Sequence, residues 1–316
     1  MALDDPSTMP GSNCEILRCS LADRGAALGV LYRRVSGTLR AGLIADTLRD
    51  AAGGAIDLSG LWIARRRQRI IGALLTQPLA GRAAGLWAPE VEVTWGRSAT
   101  ALALVRAALG DLHARGFRIV QALLDDSVPR DAANDLTAGG MPRVTELVYL
   151  ERPTADPLEV RLDTPPLSWT PFGPATEADF RAVLQSTYVD SLDMPELEGI
   201  RSLDDILSSH RAGGRFDPTR WRLGRVSGES GAGLVLLLSA LHDRAAWEVA
   251  YLGLAPAARG RGLGRAALAH ALELARPHSP RLELAVDLRN EPAIRLYQGA
   301  GFTPFDRRAV HLATFP

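Results

Sequence analysis

The order of apolar and polar positions in the last third of the chain changes from strand-like to helical and back. Three apolar runs within residues 221–254 are separated by turns that contain Gly or Asp-Arg, which predicts three antiparallel strands. Residues 263–275 then carry apolar side chains at helical spacing, and residues 281–288 alternate as a strand does. A second helix follows, capped by Asn290 and ended by Gly301. The pattern predicts an α/β fold with a mixed sheet (α+β).

Two further helices are predicted ahead of these strands. Thr176 with Asp179, and Ser202 with Asp205, have the spacing of capping boxes at the starts of two helical patterns. The connection between the two helices is acidic. Its four carboxylates could attract a cationic amine or could simply be solvated, and both interpretations stay open; they are Asp190, Asp193, Glu196 and Glu198.

The first half of the chain repeats the same order of elements. Residues 85–93, 117–124 and 143–153 read as strands, and residues 101–116 and 125–140 as helices. Gly140-Met141 resembles Gly301-Phe302 at the corresponding point of the second half. We interpret this as a diverged internal duplication, with a chance recurrence of two common α/β units as the alternative.

Length and proline content predict two domains. A chain of 316 residues is long enough for two cores, and residues 156–166 belong to a stretch rich in proline and charge. The predicted limits are a first domain over 1–155, a linker over 156–166 and a second domain over 167–316.

Composition excludes several classes of protein. The chain has 36 basic and 36 acidic residues, a balance that argues against nucleic acid or a membrane as partner. It begins without a basic segment followed by an apolar one and has no run of about 18 apolar residues, so a cytoplasmic protein is expected, with Cys14 and Cys19 as thiols. All basic residues are arginine, and the absence of lysine excludes a Walker A loop and a Schiff-base enzyme.

Other candidate motifs do not indicate a further catalytic or metal site. The six histidines show no paired spacing, so no metal site is expected. No nucleophile elbow occurs. The basic stretch at residues 64–69 is interpreted as a hairpin turn, with a phosphate or nucleic-acid patch as the alternative.

The clearest chemical signal is the stretch RGRGLG at residues 259–264, between a predicted strand and a predicted helix. Bare backbone at a helix N-terminus binds phosphate well, and three arginines could add donors; they are Arg259, Arg261 and Arg265. A dinucleotide-binding fingerprint would need Gly or Ala at position 265, so that interpretation fails.

Two motifs at the expected separation resemble the GNAT superfamily of N-acetyltransferases. The first is the acyl-CoA loop, which matches at Arg259, Gly262 and Gly264. The second is a later pattern, which matches at Asn290, Ala293, Tyr297, Gly301 and Phe302. A doubled chain of this kind is similar to the mycothiol synthase branch of that superfamily. The resemblance implies two tandem GNAT-like acyl-CoA N-acyltransferase domains.

The resemblance also implies which residues bind the co-substrate and which catalyse the reaction. Acetyl-CoA would be the co-substrate, bound through backbone N–H groups of the strand, the glycine loop and the last helix; the residues are Leu252, Gly253, Leu254, Arg259, Gly260, Arg261, Gly262, Leu263, Gly264, Arg265, Asn290 and Ala293. Glu248 would be the general base and Tyr297 the general acid toward a small-molecule or peptide amine. The alternatives are a solvent-facing strand glutamate and a core tyrosine.

The first half lacks these residues and is expected to be a degenerate copy without cofactor. Ser98, Ala101 and Ala103 are aligned with Arg259, Gly262 and Gly264, and Leu136 with Tyr297. Two functions stay open, an N-acetyltransferase and a non-catalytic acyl-CoA-binding or regulatory protein. Within the first, the acceptor is open and includes an amino-sugar thiol as in mycothiol synthase.

Overall fold

The chain divides into two units whose boundaries fall within two strands. The computed structural model describes residues 14–229 and 231–316. Unit 1 contains the described residues up to Val144 together with Val310–Pro316, and unit 2 contains Thr145–Ala309. The segment predicted as a linker, residues 156–166, lies within unit 2. Leu158 of that segment packs against the core of unit 2.

Unit 1 is a mixed sheet with helices. Its helices are α1 (Arg24–Leu31), α2 (Gly37–Ala52), α3 (Arg97–Ala114) and α4 (Arg130–Gly139). Its strands are β1 (Glu15–Arg18), β2 (Leu61–Arg66), β3 (Arg69–Leu79), β4 (Ala83–Leu86), β5 (Glu90–Val91) and β6 (Ile119–Leu124). The strand order is β1-β2-β3-β4-β6, with β5 paired to β3. Only the β4 and β6 pair among these is parallel.

Two local predictions for unit 1 have different outcomes. The hairpin turn at residues 64–69 is confirmed, because Arg67 and Gln68 form the left-handed turn between β2 and β3 with φ of 46° and 68°. The single strand predicted over 85–93 is wrong. It breaks into β4 and β5, and Pro89, which has no N–H to donate to a ladder, lies between them.

Unit 2 has helices on both faces of its sheet. Its helices are α5 (Glu177–Thr187), α6 (Leu203–Ala212), α7 (Leu263–Ala275) and α8 (Glu291–Gly299). Its strands are β8 (Leu167–Pro171), β9 (Trp221–Val226), β10 (Gly233–Ala240), β11 (Trp247–Leu254) and β12 (Arg281–Asp287). Two more strands cross the division of the units; they are β7 (Arg143–Pro153) and β13 (Thr303–Thr314). The order in unit 2 is β13-β7-β12-β11-β10-β9-β8, and β9, β10 and β11 are antiparallel as predicted.

Strand β10 shows how the two layers of helices pack. Leu236 and Leu238 lie in the cluster formed with α7 and α8. Val235 and Leu237, on the opposite face, lie in the cluster formed with α5. Because alternate residues of a strand point to opposite faces, an uninterrupted apolar run is what a doubly covered strand requires.

The predicted helix caps are confirmed at two of three positions. Ser202 and Asp205 form a reciprocal capping box at α6, and Asn290 Oδ1 accepts from the Ala293 N–H over 3.2 Å at α8. At α5 the predicted start of the helix is confirmed, because Thr176 is its N-cap, but the capping box predicted with Asp179 is wrong. The Thr176 hydroxyl instead donates to the Pro171 carbonyl over 2.9 Å, so it stabilises the preceding turn. Within the part of the chain that is described, no helix combines the length and apolar character needed to cross a bilayer.

Candidate active site

Strands β11 and β12 are paired only at their beginnings. Trp247 pairs with Leu282 and Glu248 with Glu283 in parallel register, and no later pair follows. On its other side β11 stays paired with β10 as far as Leu254, through an irregularity at Ala250. One edge of β11 is therefore left open beyond Glu248.

The hydrogen bonding of β11 shows which N–H groups face this opening. The Ala255 N–H donates to the Gly233 carbonyl of β10 over 3.0 Å. Because hydrogen-bonding groups alternate between the two edges of a strand, the N–H groups of Leu254 and Leu252 point away from β10. They point toward the gap where β12 has diverged.

A cavity of about 470 Å³ occupies this gap. Eleven of the fourteen residues predicted for the site line it. They are Leu252, Gly253 and Leu254 of β11, Arg259, Gly260, Gly262, Gly264 and Arg265 around the loop, and Asn290, Ala293 and Tyr297 of α8. Glu248, Arg261 and Leu263 are not among the lining residues.

The glycines of the loop serve different purposes. Gly260 and Gly262 have φ of 73° and 77°, a conformation that favours glycine, and Gly262 is the N-cap of α7. Gly264 instead allows close packing of helices, because a β-carbon there would lie 2.9 Å from Leu296 Cδ2 of α8. Leu263 is fully buried in the core. The N-terminus of α7 is thereby left bare toward the cavity.

The three arginines of the loop are bound by protein groups. Arg259 donates to the Leu254 carbonyl over 3.1 Å and to the Val189 carbonyl over 2.6 Å, which ties β11 to the chain after α5. Arg261 forms a two-pronged ion pair with Glu229. Arg265 donates to the carbonyls of Glu159 and Gly299 over 2.7 and 2.8 Å. Backbone N–H groups are therefore the less committed donors at this loop.

Tyr297 lines the cavity, and its hydroxyl is unpaired among the described residues. Its side chain is 8% exposed, and its ring packs edge-on against Phe302. Its hydroxyl has no hydrogen-bond partner within the residues described. Burial, reinforced by the charge of Asp193, raises its pKa, so the phenol keeps its proton at neutral pH.

Tyr251 is a second tyrosine in the cavity wall, and the sequence did not single it out. Its hydroxyl is 2.7 Å from Thr187 Oγ1, and Thr187 donates its only hydroxyl proton to the Leu184 carbonyl over 2.6 Å. Tyr251 must therefore donate to Thr187, and burial raises its pKa to about 12. The signal available in the sequence was a tyrosine within the strand that leads into the glycine loop.

Glu248 lies beside the opening, at the last paired position of β11. Its neighbour across the pair is Glu283, which is 4% exposed and accepts two bonds from Arg244 over 3.0 and 2.7 Å. Burial, together with the charge of Glu283, raises the pKa of Glu248. The carboxylate therefore holds a proton more strongly than an ordinary glutamate does, but it is not brought into the cavity with Tyr297.

The acidic connection after α5 contributes part of the wall. Asp190 and Asp193 line the cavity, whereas Glu196 is paired with Arg289 through two bonds of 2.6 and 2.9 Å. Asp287, which is fully buried, accepts from the Met194 N–H, and the Asp287 N–H donates to Asp193. These reciprocal bonds fix the connection against the end of β12.

The corresponding region of unit 1 starts at a different residue from the one predicted. Gly96, with φ of 73°, is the N-cap of α3, as Gly262 is of α7. Gly96 is therefore the structural counterpart of Gly262, and the alignment of Ala101 with it is wrong by five positions. Arg97, next in the chain, pairs with Asp131 and Asp135 of α4 over 3.1 and 2.7 Å.

The last helices of the two units align without a shift. Phe302 donates to the Tyr297 carbonyl after α8, and Met141 donates to the Leu136 carbonyl after α4. Leu136, fully buried, thus stands where unit 2 has Tyr297, as predicted. Over the described residues, no group of three or more His, Cys, Asp or Glu side chains could hold a metal ion.

Comparison with known proteins gives matches to acetyltransferases. Residues 211–302 match the family model described as Acetyltransferase (GNAT) family. Mycothiol acetyltransferase of Beutenbergia cavernae is 36% identical over 190 residues, which cover 57% of this chain and 61% of that protein. Mycothiol acetyltransferase of Thermomonospora curvata is 32% identical over 176 residues, covering 55% and 57%. The chain thus matches less than two thirds of the length of these relatives.

A solved structure extends the fold similarity to the whole chain. The GCN5-related N-acetyltransferase from Sphaerobacter thermophilus superposes with a TM-score of 0.56 and 17% identity over 97% of both chains. The resemblance inferred from the two motifs and the predicted mixed α/β fold are confirmed.

Proposed function

Starting from the GNAT domain at residues 211–302, we propose that this chain is an acetyl-CoA-dependent N-acetyltransferase with its active site in unit 2. The observation that carries the proposal is the convergence of three features on one cavity. These are the open edge of β11, the bare N-terminus of α7 and the unpaired hydroxyl of Tyr297. Acetyl-CoA supplies the acetyl thioester that the amine attacks.

The open edge and the loop suit the two polar parts of acetyl-CoA. The N–H groups of Leu263 and Gly264 would hold the diphosphate, since neither has a hydrogen-bond partner among the described residues and both lie at the positive end of the helix dipole. The N–H groups of Leu252 and Leu254 would hold the pantetheine and the thioester carbonyl. Asn290, whose side-chain oxygen caps α8, keeps its amide N–H₂ for the pantetheine.

The N–H donors of β11 would also assist the reaction. Negative charge develops on the carbonyl oxygen as the amine nitrogen bonds to the carbonyl carbon. Fixed N–H donors aimed at that oxygen accelerate acyl transfer by about 100- to 1,000-fold each. The strand holds them in place before any substrate binds, because β10 pairs with the other edge.

Two side chains would move the protons. The nucleophilic nitrogen loses a proton, and Glu248 would accept it through a water, because Glu248 lies outside the cavity and its pKa is raised by burial. The C–S bond breaks, and the thiolate of CoA would take the proton of Tyr297. The unpaired hydroxyl of Tyr297 and its raised pKa make it a protonated donor at neutral pH.

The acceptor is proposed to be a small amine. Asp190 and Asp193 give the cavity wall negative charge, which favours a cationic group. The two relatives described above are mycothiol acetyltransferases. The acceptor of those enzymes is accordingly the first to test, followed by a panel of amino sugars, aminoglycosides and peptide N-termini.

The test combines binding and turnover of the full chain. Titration calorimetry should show acetyl-CoA binding, and release of CoA should depend on one of the amines. Gly262→Val is expected to weaken acetyl-CoA binding by at least ten-fold, because a side chain there is strained and crowds the loop. Gly228→Val is the matched control, since Gly228 also has positive φ, 81°, but faces open space.

The outcomes separate the two candidate functions. Binding with amine-dependent CoA release supports an acetyltransferase. Binding without release for any amine would favour the non-catalytic acyl-CoA-binding protein. A folded chain that does not bind acetyl-CoA, or an equal effect of the two glycine substitutions, would contradict the proposed site.

A further inference from the structure

The proline-rich segment predicted as a linker is held against the glycine loop. Arg152 Nη2 donates to the carbonyls of Asp156 and Pro157 over 3.1 and 2.9 Å. Arg265, in the first turn of α7, donates to the Glu159 carbonyl over 2.7 Å. Leu158 packs on the core between these two anchors. The segment therefore has a fixed position on unit 2.

A turn at the end of this segment places Thr164 on the loop. The Thr164 N–H donates to the Arg161 carbonyl over 3.1 Å, which closes the turn. A β-carbon at Gly262 would lie 2.9 Å from Thr164 Oγ1 and 3.6 Å from its methyl carbon. Glycine at position 262 thus permits both the left-handed turn and the close approach of this hydroxyl.

The Thr164 hydroxyl has no assigned partner. Thr164 is half-buried, and no hydrogen bond to its hydroxyl is formed by any residue that the structure describes. The three arginines around the loop are already bound by carbonyls or by Glu229. A hydroxyl beside the bare start of α7 is consequently a side-chain donor still free for an anion at this place.

Thr164 lies next to Gly262, although neither it nor any other of residues 159–164 lines the 470 Å³ cavity itself. We propose that Thr164 donates a hydrogen bond to the diphosphate of acyl-CoA just outside that cavity, and that residues 159–164 form the outer wall of the diphosphate subsite there. The inference rests on the proposed function, because it assigns a residue to the same cofactor. It makes the proline-rich segment a part of the binding site rather than only a connection between domains.

The test measures acetyl-CoA affinity of full-length variants by titration calorimetry. Thr164→Val keeps the shape and removes the hydroxyl, so the dissociation constant should rise about ten-fold, as expected for a hydrogen bond to a charged oxygen. Thr164→Ser should restore the wild-type value. Thr170→Val, at an exposed position of the edge strand β8, is the matched control and should change nothing.

A second ligand locates the contact. S-acetylpantetheine has no diphosphate, so its affinity should be the same for wild type and Thr164→Val. Thermal unfolding of each variant checks that the fold is retained.

Three results would overturn the inference. The first is an unchanged dissociation constant for acetyl-CoA in Thr164→Val, and the second is equally weakened binding of both ligands by that variant. The third is tighter binding of acetyl-CoA by Thr164→Val, which would mean that the segment obstructs the loop. Failure of the wild-type chain itself to bind acetyl-CoA would instead refute the proposed function.

Discussion

Two tyrosines in one cavity differ in the state of their hydroxyl protons. The Tyr251 proton is committed to Thr187, because Thr187 gives its own proton to the Leu184 carbonyl. The Tyr297 hydroxyl has no partner among the described residues, and its side chain lies in the wall of the same cavity. Donation by Tyr251 would break a chain of hydrogen bonds, whereas donation by Tyr297 breaks none. Tyr297 is therefore the better candidate for the general acid that we propose.

Tyr297→Phe should lower kcat by about ten-fold or more and leave the acetyl-CoA dissociation constant nearly unchanged, because only the proton donor is lost. Phenylalanine preserves the ring contact with Phe302. Steady-state CoA release and titration calorimetry measure the two quantities. Tyr251→Phe is the control and should have the smaller effect on kcat. A larger loss in Tyr251→Phe would exchange the roles of the two residues.

At the level of elements, the site depends on where β11 and β12 stop pairing. The paired end is held by Arg244, which donates twice to Glu283. The side chain of Glu283 is 5% exposed, so its charge needs this partner. The ion pair thereby stabilises the paired ends of the two strands, next to the position at which they part.

Arg244→Ala should reduce the free energy of unfolding by about 2 kcal/mol, because it leaves a buried carboxylate without its cation. Urea titration of the purified chain measures the change. Arg281→Ala, which removes a partly exposed pair with Glu151, is the control and should cost less than about 1 kcal/mol. Equal effects of the two substitutions would show that Glu283 is adequately solvated without Arg244.

The helices and strands were largely predictable from the sequence, whereas the contacts between residues far apart in the chain were not. Helices α7 and α8 follow from periodicity and from the caps at Asn290 and Gly301, which are local signals. Two of the carbonyl partners of Arg259 lie about 70 residues earlier in the chain, at Thr187 and Val189. No pattern among neighbouring residues predicts such a contact. The contact of Thr164 with Gly262 escaped prediction for the same reason.

At the scale of the whole molecule, the two units keep one backbone pattern and differ in side chains. Both have a glycine with positive φ immediately before a helix: Gly96 precedes α3 and Gly262 precedes α7. Unit 1 then uses Arg97 in an ion pair with Asp135, which is buried. The carboxylates of Asp131 and Asp135 thus bind the guanidinium of Arg97, which could otherwise have bound a phosphate. The sequence alignment missed this pair because it placed the start of the helix too late.

This difference predicts that the intact chain binds a single acetyl-CoA. Unit 1 has Leu136 where unit 2 has Tyr297, and the carboxylates of Asp131 and Asp135 lie against Arg97 in the first turn of α3, where their negative charge would oppose a diphosphate. Titration calorimetry of the full chain should give one site, and Gly262→Val should weaken binding at that site by at least ten-fold. Arg97→Ala, which opens the ion pair in unit 1, should leave the stoichiometry and the affinity of unit 2 unchanged, because Arg97 is not among the residues proposed to bind acetyl-CoA. A second site in the wild type, or binding that survives Gly262→Val at equal affinity, would show that unit 1 has kept its cofactor.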